Sequence, residues 1–278
     1  MEQEQIDMAY AAGALDGDGS FYITRREEEK SIKWVAGAGI GKSCKHLIEF
    51  FIDKFKGNES EKDGHHKWAI SCSVRMVPFL EKVSPYLVKK KEQSILLLEW
   101  LRKGMPDKEE NYLAMKFLNA ENRKYLESKC ETVSEYPLNW SYLAGLMDTD
   151  GSFMIHKRIG HNGMKSPNYI VKVSYGDADS RAINFILKTC PFGTVNKKEY
   201  STIKGGRFVW ELVVKDEIVS LIEKILPFLI VKKKNAQIVL DFCKNSKPVK
   251  KGHRFGIPSE ELAFREKCYM ELKVLQRR

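Results

Sequence analysis

The stretch Tyr142-Leu-Ala-Gly-Leu-Met-Asp-Thr-Asp-Gly-Ser-Phe153 decides the fold, because the chain contains it twice. The other copy reads Tyr10-Ala-Ala-Gly-Ala-Leu-Asp-Gly-Asp-Gly-Ser-Phe21, offset by 150 − 18 = 132 residues in a chain of 278. A second echo follows in the same order, a Lys placed five residues after a Pro, at Lys90 and again at Lys232. Echoes that recur in the same order in both halves indicate a tandem duplication.

The sequence pattern predicts the same succession of elements in each half: helix, two strands, helix, two strands and helix, followed by one further helix. The repeated stretch opens the half as a helix of small residues that ends at an Asp-x-Asp-Gly turn. Alternation then predicts strands, with Phe153 and Ile155 facing inward and His156 and Arg158 facing outward. The fold class is therefore α+β, with two pseudo-symmetric α-β-β-α-β-β-α repeats whose antiparallel sheets are covered by helices on one face.

Domain boundaries follow from the repeats. We expect a first repeat at residues 1–103, a connecting segment with a helix at 104–137, and a second repeat with a C-terminal helix at 138–278. Alternation also predicts two later strands whose buried faces end in a Val. The predicted inward residues of these strands are Trp68, Ile70, Cys72 and Val74, and then Phe208, Trp210, Leu212 and Val214.

Composition narrows the class of partner. The chain has 47 Lys and Arg against 37 Asp and Glu, a net charge of +10, which favours a polyanion such as DNA or RNA. No apolar run approaches the roughly 18 residues of a membrane span, and the acidic start lacks a secretory pattern. Six Cys without a CxxC pair predict buried free thiols in a reducing compartment. We therefore expect an intracellular protein without a membrane partner.

The two Asp-x-Asp-Gly turns carry the chemistry. Small side chains before them would let the two helices approach closely and bring their Asp-ended termini side by side. Clustered carboxylates repel each other unless divalent cations lie between them, which is the outline of a two-metal phosphodiesterase site. A structural alternative is that Gly19 and Gly151 are C-cap glycines and the Asp residues only form turns. The occurrence of both copies at the same place in a duplicated chain favours the catalytic interpretation.

Residues 11–19 and 143–151 resemble the two signatures of a single-chain LAGLIDADG homing endonuclease, and the second is the closer match. The resemblance covers about residues 5–103 and 138–245. It implies a pseudo-twofold monomer with the two signature helices paired at its centre and two sheets forming a saddle in the DNA major groove. The first signature departs at Ala11 and Ala14, where the family has larger apolar residues.

The resemblance assigns the metal ligands. Asp18 and Asp150 would bind Mg²⁺, with two or three divalent ions in the site, helped by the backbone carbonyls of Gly17 and Thr149. Ca²⁺ is expected to support binding without cleavage. Asp16 and Asp148 would brace the helix interface and are not expected to bind metal.

The resemblance also implies further active-site groups. Lys90 and Lys232 occupy the family's basic position, where an ammonium can offset charge developing at a phosphate; the alternative is that these Lys runs only solvate a helix start. Lys45 and Arg181 match another basic position. Four residues before Arg181, Asp177 matches a water-positioning group, whereas its counterpart Gly41 does not, so the two catalytic corners are expected to differ.

Contacts to DNA are expected from the polar faces of the sheets, although a solvated strand residue is the alternative at each position. The first-half candidates are Tyr22, Thr24, Arg26, Lys33, Lys67 and Ser71. The second-half candidates are His156, Arg158, Asn168, Lys172, Ser174, Arg207 and Glu211.

The resemblance implies a monomeric, intron-homing DNA endonuclease. It would hydrolyse both strands of a long, loosely palindromic double-stranded target and leave short 3′ overhangs, in the cytoplasm or nucleoid of a bacterium or in an organelle matrix. The alternatives are a maturase that acts on group I intron RNA, an enzyme with both activities, and a non-cleaving DNA-binding regulator. Two retained Asp favour the nuclease, because a pure binder gains nothing from anions beside phosphate.

Overall fold

A computed structural model describes most of the chain in eight segments. These are residues 3–28, 31–42, 44–71, 73–121, 138–159, 166–200, 203–248 and 256–276. Among them, no helix is long and apolar enough to cross a membrane.

The first half runs from the N-terminal helix to a pair of packed helices, with a 3₁₀ turn at Ser84–Tyr86. Its elements are α1 (Gln3–Asp18), β1 (Gly19–Glu28), β2 (Ser31–Lys42), α2 (Lys45–Phe55), β3 (Asn58–Lys62), β4 (His65–Ile70), α3 (Ser73–Val83) and α4 (Lys91–Arg102). The helix α5 (Lys108–Glu121) follows and packs on β1, where Asn119 donates a hydrogen bond of 3.1 Å to the Phe21 carbonyl. The remainder of the expected connecting segment, 122–137, lies outside the described residues.

The second half repeats the succession and adds a C-terminal helix. Its elements are α6 (Leu138–Thr149), β5 (Gly151–Arg158), β6 (Asn168–Asp177), α7 (Ser180–Thr189), β7 (Thr194–Tyr200), β8 (Ile203–Leu212), α8 (Lys215–Ile225), α9 (Lys233–Asn245) and α10 (Ser259–Gln276). Both halves form a four-stranded antiparallel sheet, in the orders β1-β2-β4-β3 and β5-β6-β8-β7. The α+β fold class with two antiparallel sheets is confirmed.

The alternation of apolar and polar residues predicts the faces of the sheets correctly, but it extends two strands beyond their observed ends. Phe153 and Ile155 are buried, and His156 and Arg158 are exposed. Val74 and Val214, however, are 80% and 51% exposed. The reason is that β4 and β8 end at Ile70 and Leu212, so that Val74 lies in α3 and Val214 is the N-cap of α8. The predicted inward residue Cys72 lies outside the described residues.

The central contact is between α1 and α6, and small residues make it possible. A Cβ added at Gly13 would lie 2.0 Å from the Tyr142 carbonyl oxygen, and one added at Gly145 would lie 2.2 Å from the Tyr10 carbonyl oxygen. Only glycine permits two helix backbones to approach this closely. Helix α1 is buried from Met8 to Asp16 and α6 over nearly its whole length, and their apolar residues belong to the hydrophobic core.

The described cysteines are free thiols. Cys190, Cys243 and Cys268 are buried, Cys44 is half-buried, and Cys72 and Cys130 lie outside the described residues. Burial raises the pKa of the Cys243 thiol to about 11, so it remains protonated near neutral pH.

Candidate active site

The first Asp of each Asp-x-Asp-Gly turn is buried and joins the two halves. The Asp16 carboxylate accepts a hydrogen bond of 2.6 Å from the Tyr142 hydroxyl, and Asp148 accepts one of 2.7 Å from the Tyr10 hydroxyl. Each carboxylate also accepts three backbone amides at 2.7–3.0 Å, from residues 88–90 or 230–232. Asp16 and Asp148 therefore brace the helix pair and fix the segment before α4 or α9 on it.

The amino groups of Lys90 and Lys232 lie against the C-terminal ends of the paired helices. Lys90 donates to the carbonyls of Leu15, Asp16, Gly17 and Gly19 at 2.6, 3.0, 3.3 and 2.8 Å. Lys232 donates to those of Met147, Thr149 and Gly151 at 3.0, 2.8 and 2.7 Å. Unpaired carbonyls at a helix end carry partial negative charge and attract cations. Both lysines thus cap helices beside the candidate site, and their catalytic role stays a prediction.

Asp18 ends α1 and Asp150 directly follows α6, so that the two carboxylates lie close enough to interact electrostatically. Both side chains are partly exposed, at 26% and 31%. Burial raises the pKa of Asp150, and the charge of Asp18 raises it further, so each carboxylate lies within the field of the other. The helix ends themselves touch, because a Cβ on Gly17 would lie 2.0 Å from the Thr149 Oγ1. The structure therefore brings together the four residues expected to hold metal.

A second carboxylate stands beside Asp150. Asp177, at the end of β6, accepts hydrogen bonds from the Lys89 ammonium, from the Tyr175 hydroxyl at 3.0 Å and from the Asp179 amide at 2.9 Å. Burial and the charge of Asp177 raise the pKa of Tyr175 well above its usual range, so this hydroxyl remains a donor. Asp177 is therefore fixed by three donors, and its charge acts on Asp150, where a water-positioning role stays a prediction.

The sheet register corrects the expected counterpart of Asp177. Gly19 pairs with Ile40 across the first hairpin, whereas Gly151 pairs with Tyr175 across the second. The residue two positions further along is Lys42 in the first half and Asp177 in the second, so Lys42 and not Gly41 is the symmetry mate of Asp177. Counting back four residues from Lys45 and from Arg181 led to Gly41, but these two residues are not equivalent, because Lys45 is the first residue of α2 and Arg181 is the second residue of α7.

Lys42 lies directly on the candidate metal ligands. Its ammonium forms an ion pair with the Asp18 carboxylate and donates a hydrogen bond of 3.1 Å to the Thr149 carbonyl. These two acceptors come from different halves of the molecule. Sequence reasoning therefore missed Lys42 and Lys89 as residues of the candidate site. The signal for Lys42 is a charged residue at the end of the strand that pairs with the one following the first Asp-x-Asp-Gly turn.

Two expected basic groups have partners on their own helices. Lys45, the first residue of α2, is exposed and lies 3.4 Å from the Glu49 carboxylate. Arg181 forms an ion pair of 2.6 Å with Asp179, the N-cap of α7. Neither contact is to Asp18 or Asp150, so a catalytic role for Lys45 and Arg181 stays a prediction.

Of the first-sheet residues expected to face DNA, two are packed against the neighbouring strand and four are exposed. The Tyr22 ring lies over Gly37 of the neighbouring strand, where an added Cβ would be 2.3 Å away, and the Thr24 hydroxyl donates to the Val35 carbonyl at 3.4 Å. Arg26, Lys33, Lys67 and Ser71 are exposed. Arg26 and Lys33 pair at the end of this face away from the helix pair, whereas Lys67 pairs with Gly41 near the candidate site, so the exposed cations are spread along the face.

The second sheet carries more charge on the same face. Glu211 accepts hydrogen bonds of 3.1 and 3.2 Å from Lys172 and Lys198. Burial acts to raise the pKa of the Glu211 carboxyl, but these two bonds outweigh burial, so its pKa is lowered. His156 and Arg158 are exposed, and burial together with Lys172 lowers the pKa of His156.

Three further candidates on this face differ in access. Asn168 is half-buried at the start of β6, whereas Ser174 is only 9% exposed because it pairs with Ser152 and Glu211 on its two sides. Arg207 donates to the Gly176 carbonyl and lies 3.9 Å from the Asp150 carboxylate. Arg207 therefore lies at the end of the sheet near Asp150, and its expected contact with DNA stays a prediction.

The donor set suits a hard divalent cation. Carboxylate and carbonyl oxygens of Asp18, Asp150, Gly17 and Thr149 are the ligand types that Mg²⁺ prefers. Among the described residues, no three His, Cys, Asp or Glu side chains are grouped to hold a metal by themselves. A cation here would complete its shell with water or a phosphate oxygen, as Mg²⁺ does at phosphoryl-transfer sites.

Known structures match this arrangement over nearly the whole chain. The meganuclease I-SmaMI bound to uncleavable DNA with a TTCT central four gives a TM-score of 0.72 at 16% identity, covering 96% of this chain and 98% of that one. The LAGLIDADG homing endonuclease I-LtrWI bound to target DNA gives 0.72 at 17% identity with the same coverage. The LAGLIDADG meganuclease I-AabMI bound to uncleaved DNA gives 0.71 at 15% identity, covering 95% and 98%.

No family model matches the sequence, and no curated protein is significantly similar to it. The match therefore rests on three-dimensional structure. The chain has the fold of the single-chain LAGLIDADG homing endonucleases, as the two repeated signatures indicated.

Proposed function

We propose that this protein is a site-specific DNA endonuclease that hydrolyses one phosphodiester bond in each strand, with Mg²⁺ as cofactor. The observation that carries the proposal is the meeting of Asp18 and Asp150 at the ends of two contacting helices, between two sheets with polar faces. A structural helix pair has no need of two partly exposed carboxylates at one point, because they repel each other.

The solved neighbours support the same activity. I-SmaMI, I-LtrWI and I-AabMI are each bound to DNA, and another I-SmaMI structure holds an uncleaved target with calcium ions, at a TM-score of 0.67 and 14% identity. By analogy, Ca²⁺ should support binding by this chain without cleavage. We further propose that the chain acts as a monomer, since one chain already contains both carboxylates.

Double-stranded DNA fits the charge of the two sheets. Arg26, Lys33 and Lys67 are exposed on one sheet, and Arg158 is exposed on the other. Cations along a groove bind phosphates by releasing counterions, while the side chains between them reach base edges. The two faces carry different side chains at matched positions, so the half-sites of the target should share their geometry and differ in sequence.

The residues of each corner have separate tasks in hydrolysis. Asp18 with the Thr149 carbonyl, and Asp150 with the Gly17 carbonyl, would each help to hold a divalent cation, which would polarise the phosphate and lower the pKa of a bound water. A water oxygen then bonds to phosphorus, one P–O bond of the backbone breaks, and the leaving oxygen takes up a proton. We propose that Lys90 and Lys232 hold the carbonyl ligands in place and that Asp177 orients water at the Asp150 corner. The two cuts would be staggered and leave short 3′ overhangs.

The test compares Asp18→Asn and Asp150→Asn with the parent protein and with Asp53→Asn, an exposed carboxylate on α2. Asn keeps the shape and one oxygen but removes the charge that holds a divalent cation. We expect each active-site variant to lose about a thousandfold in the rate of double-strand cleavage, measured with Mg²⁺ on a plasmid library of randomised sites. Affinity for a recovered site, measured by gel shift with Ca²⁺, should be unchanged or higher, because an anion near phosphate has been removed.

Two outcomes separate the alternatives. If the parent protein cuts no site but binds group I intron RNA, the fold serves as a maturase. If either Asn variant cleaves at close to the parental rate, these carboxylates are not the metal ligands.

A further inference from the structure

The two catalytic corners differ in charge at one symmetry-related position. The hairpin registers place Lys42 and Asp177 at the same point of their sheets, two residues beyond the partner of Gly19 or of Gly151. A duplicated chain has therefore placed an ammonium at one corner and a carboxylate at the other.

The Lys42 ammonium lies between two oxygens that the proposed function gives to a divalent cation. It forms an ion pair with Asp18 and donates 3.1 Å to the carbonyl of Thr149. The Lys42 side chain is 25% exposed and that of Asp18 is 26% exposed. Water therefore screens this pair only in part.

The cations at the Asp150 corner are placed differently. The Arg207 guanidinium lies 3.9 Å from the Asp150 carboxylate and donates to the Gly176 carbonyl, and the Lys89 ammonium pairs with Asp177. Each of these carboxylates has a cation near it, two pairs at this corner and one pair at Asp18, and Lys90 and Lys232 lie on the helix carbonyls beside them. The difference is that Lys42 is in direct contact with the candidate ligand carboxylate Asp18, whereas Arg207 lies 3.9 Å from Asp150 and Lys89 is engaged by Asp177.

We propose that Lys42 makes the Asp18 corner the weaker divalent-cation site, so that the protein nicks the strand served by Asp150 first and cuts the other strand afterwards. This inference rests on the proposed nuclease function. A cation can take the Asp18 and Thr149 oxygens only after the ammonium leaves both, and the ammonium must then find other acceptors. Lys42 is accordingly a positioning residue that sets the order of the two cuts.

The first experiment measures cation binding without DNA, by the electron paramagnetic resonance of free Mn²⁺. In the Asp150→Asn background, only the Asp18 corner keeps its metal-binding carboxylate. We expect Lys42→Gln to raise Mn²⁺ affinity in that background by about tenfold or more, because a unit charge in contact with the ligands is removed. The matched control is Lys234→Gln, an exposed lysine of α9, which changes the net charge equally.

Two results of this titration would overturn the inference. One is an affinity change for Lys42→Gln no larger than that for Lys234→Gln. The other is the same gain in Mn²⁺ affinity in the Asp18→Asn/Lys42→Gln protein. Mn²⁺ would then be binding at a site other than the Asp18 corner. Circular dichroism of each variant reports whether it is folded, and Lys42→Met serves as a second replacement if Gln does not fold.

The second experiment resolves the two strands on a plasmid that carries a site recovered from the randomised library. The parent protein should accumulate open circles nicked in one strand, at least about fivefold faster than it nicks the other. Lys42→Gln should bring the two rates close together by speeding the slower cut. If Lys42→Gln instead slows that cut, Lys42 assists catalysis and the inference is wrong.

Failure of the inference and failure of the proposed function give different results. If no variant cleaves DNA, the nuclease proposal fails, whereas the Mn²⁺ titration still reports whether Lys42 blocks a cation site. If the parent cleaves both strands at equal rates, the nuclease stands and the strand order is refuted.

Discussion

Replacing Gly13 by Ala tests the contact on which the whole site is built. The added methyl carbon would lie 2.0 Å from the Tyr142 carbonyl oxygen and 3.1 Å from the Leu146 amide nitrogen. Ordinary contact begins near 3.4 Å, so the α1 and α6 backbones must separate by about 1.4 Å at this point. Both atoms belong to helix backbone, so no flexible side chain can move aside to relieve the clash.

The energetic balance favours destabilisation. Ala is the better helix former by about 1 kcal/mol. Overpacking costs about 1–3 kcal/mol, and separating the helices also stretches the buried Tyr10–Asp148 and Tyr142–Asp16 hydrogen bonds, each worth about 1.5–3 kcal/mol as bonds to charged groups. We expect a net loss of about 3 kcal/mol, which for a chain of this size lowers the melting temperature by about 6–12 °C.

Urea unfolding and calorimetry of the parent, Gly13→Ala and Gly41→Ala proteins measure this effect. Gly41 is the matched control, because the nearest heavy atom to a Cβ added there is the His66 carbonyl oxygen at 3.7 Å. Its stability should change by less than about 0.5 kcal/mol. A Gly13→Ala protein as stable as the parent would refute the close helix contact and, with it, the meeting of Asp18 and Asp150.

Three further predictions concern DNA recognition and pH. DNA affinity should fall steeply with salt, with a log–log slope of about −5 if six phosphates are neutralised; a slope shallower than about −2 in a salt titration would contradict binding along both sheets. Exchanging His156 or Arg158 should change base preference in one half-site only, by about 1–3 kcal/mol per lost contact, as measured by site selection, and an equal shift in both half-sites would indicate a symmetric dimer. Burial lowers the pKa of Lys90 and of Lys232 to about 8, so the unfolded chain binds more protons than the folded one from about pH 8 to the usual lysine value, and these groups should make stability rise with pH in that window. Urea unfolding of the parent and of Lys90→Met between pH 7.5 and 10 should show the parent gaining relative to the variant, and a constant difference would count against the lowered pKa.

Local sequence determined the scaffold of this protein. The repeated stretch is long and its spacing regular, so the duplication and the helix pair follow from residues 10–21 and 142–153 alone. Alternation assigned Phe153 and His156 to opposite faces, since side chains on a strand alternate whatever the strand packs against. The same rule failed at Val74, because alternation does not show where a strand gives way to a helix.

Only the tertiary structure decided which side chains contact each other in the candidate site. Lys42 reaches Asp18 because the first hairpin sets its register at Gly19 and Ile40, and loop length and not local composition fixes that register. Lys90 and Lys232 turn toward helix carbonyls because three amides before α4 and three before α9 are anchored on Asp16 and Asp148, about 70–85 residues away in sequence. Contacts over such separations depend on how the repeats pack. The sequence therefore determined which carboxylates meet, whereas packing decided which cations lie on them.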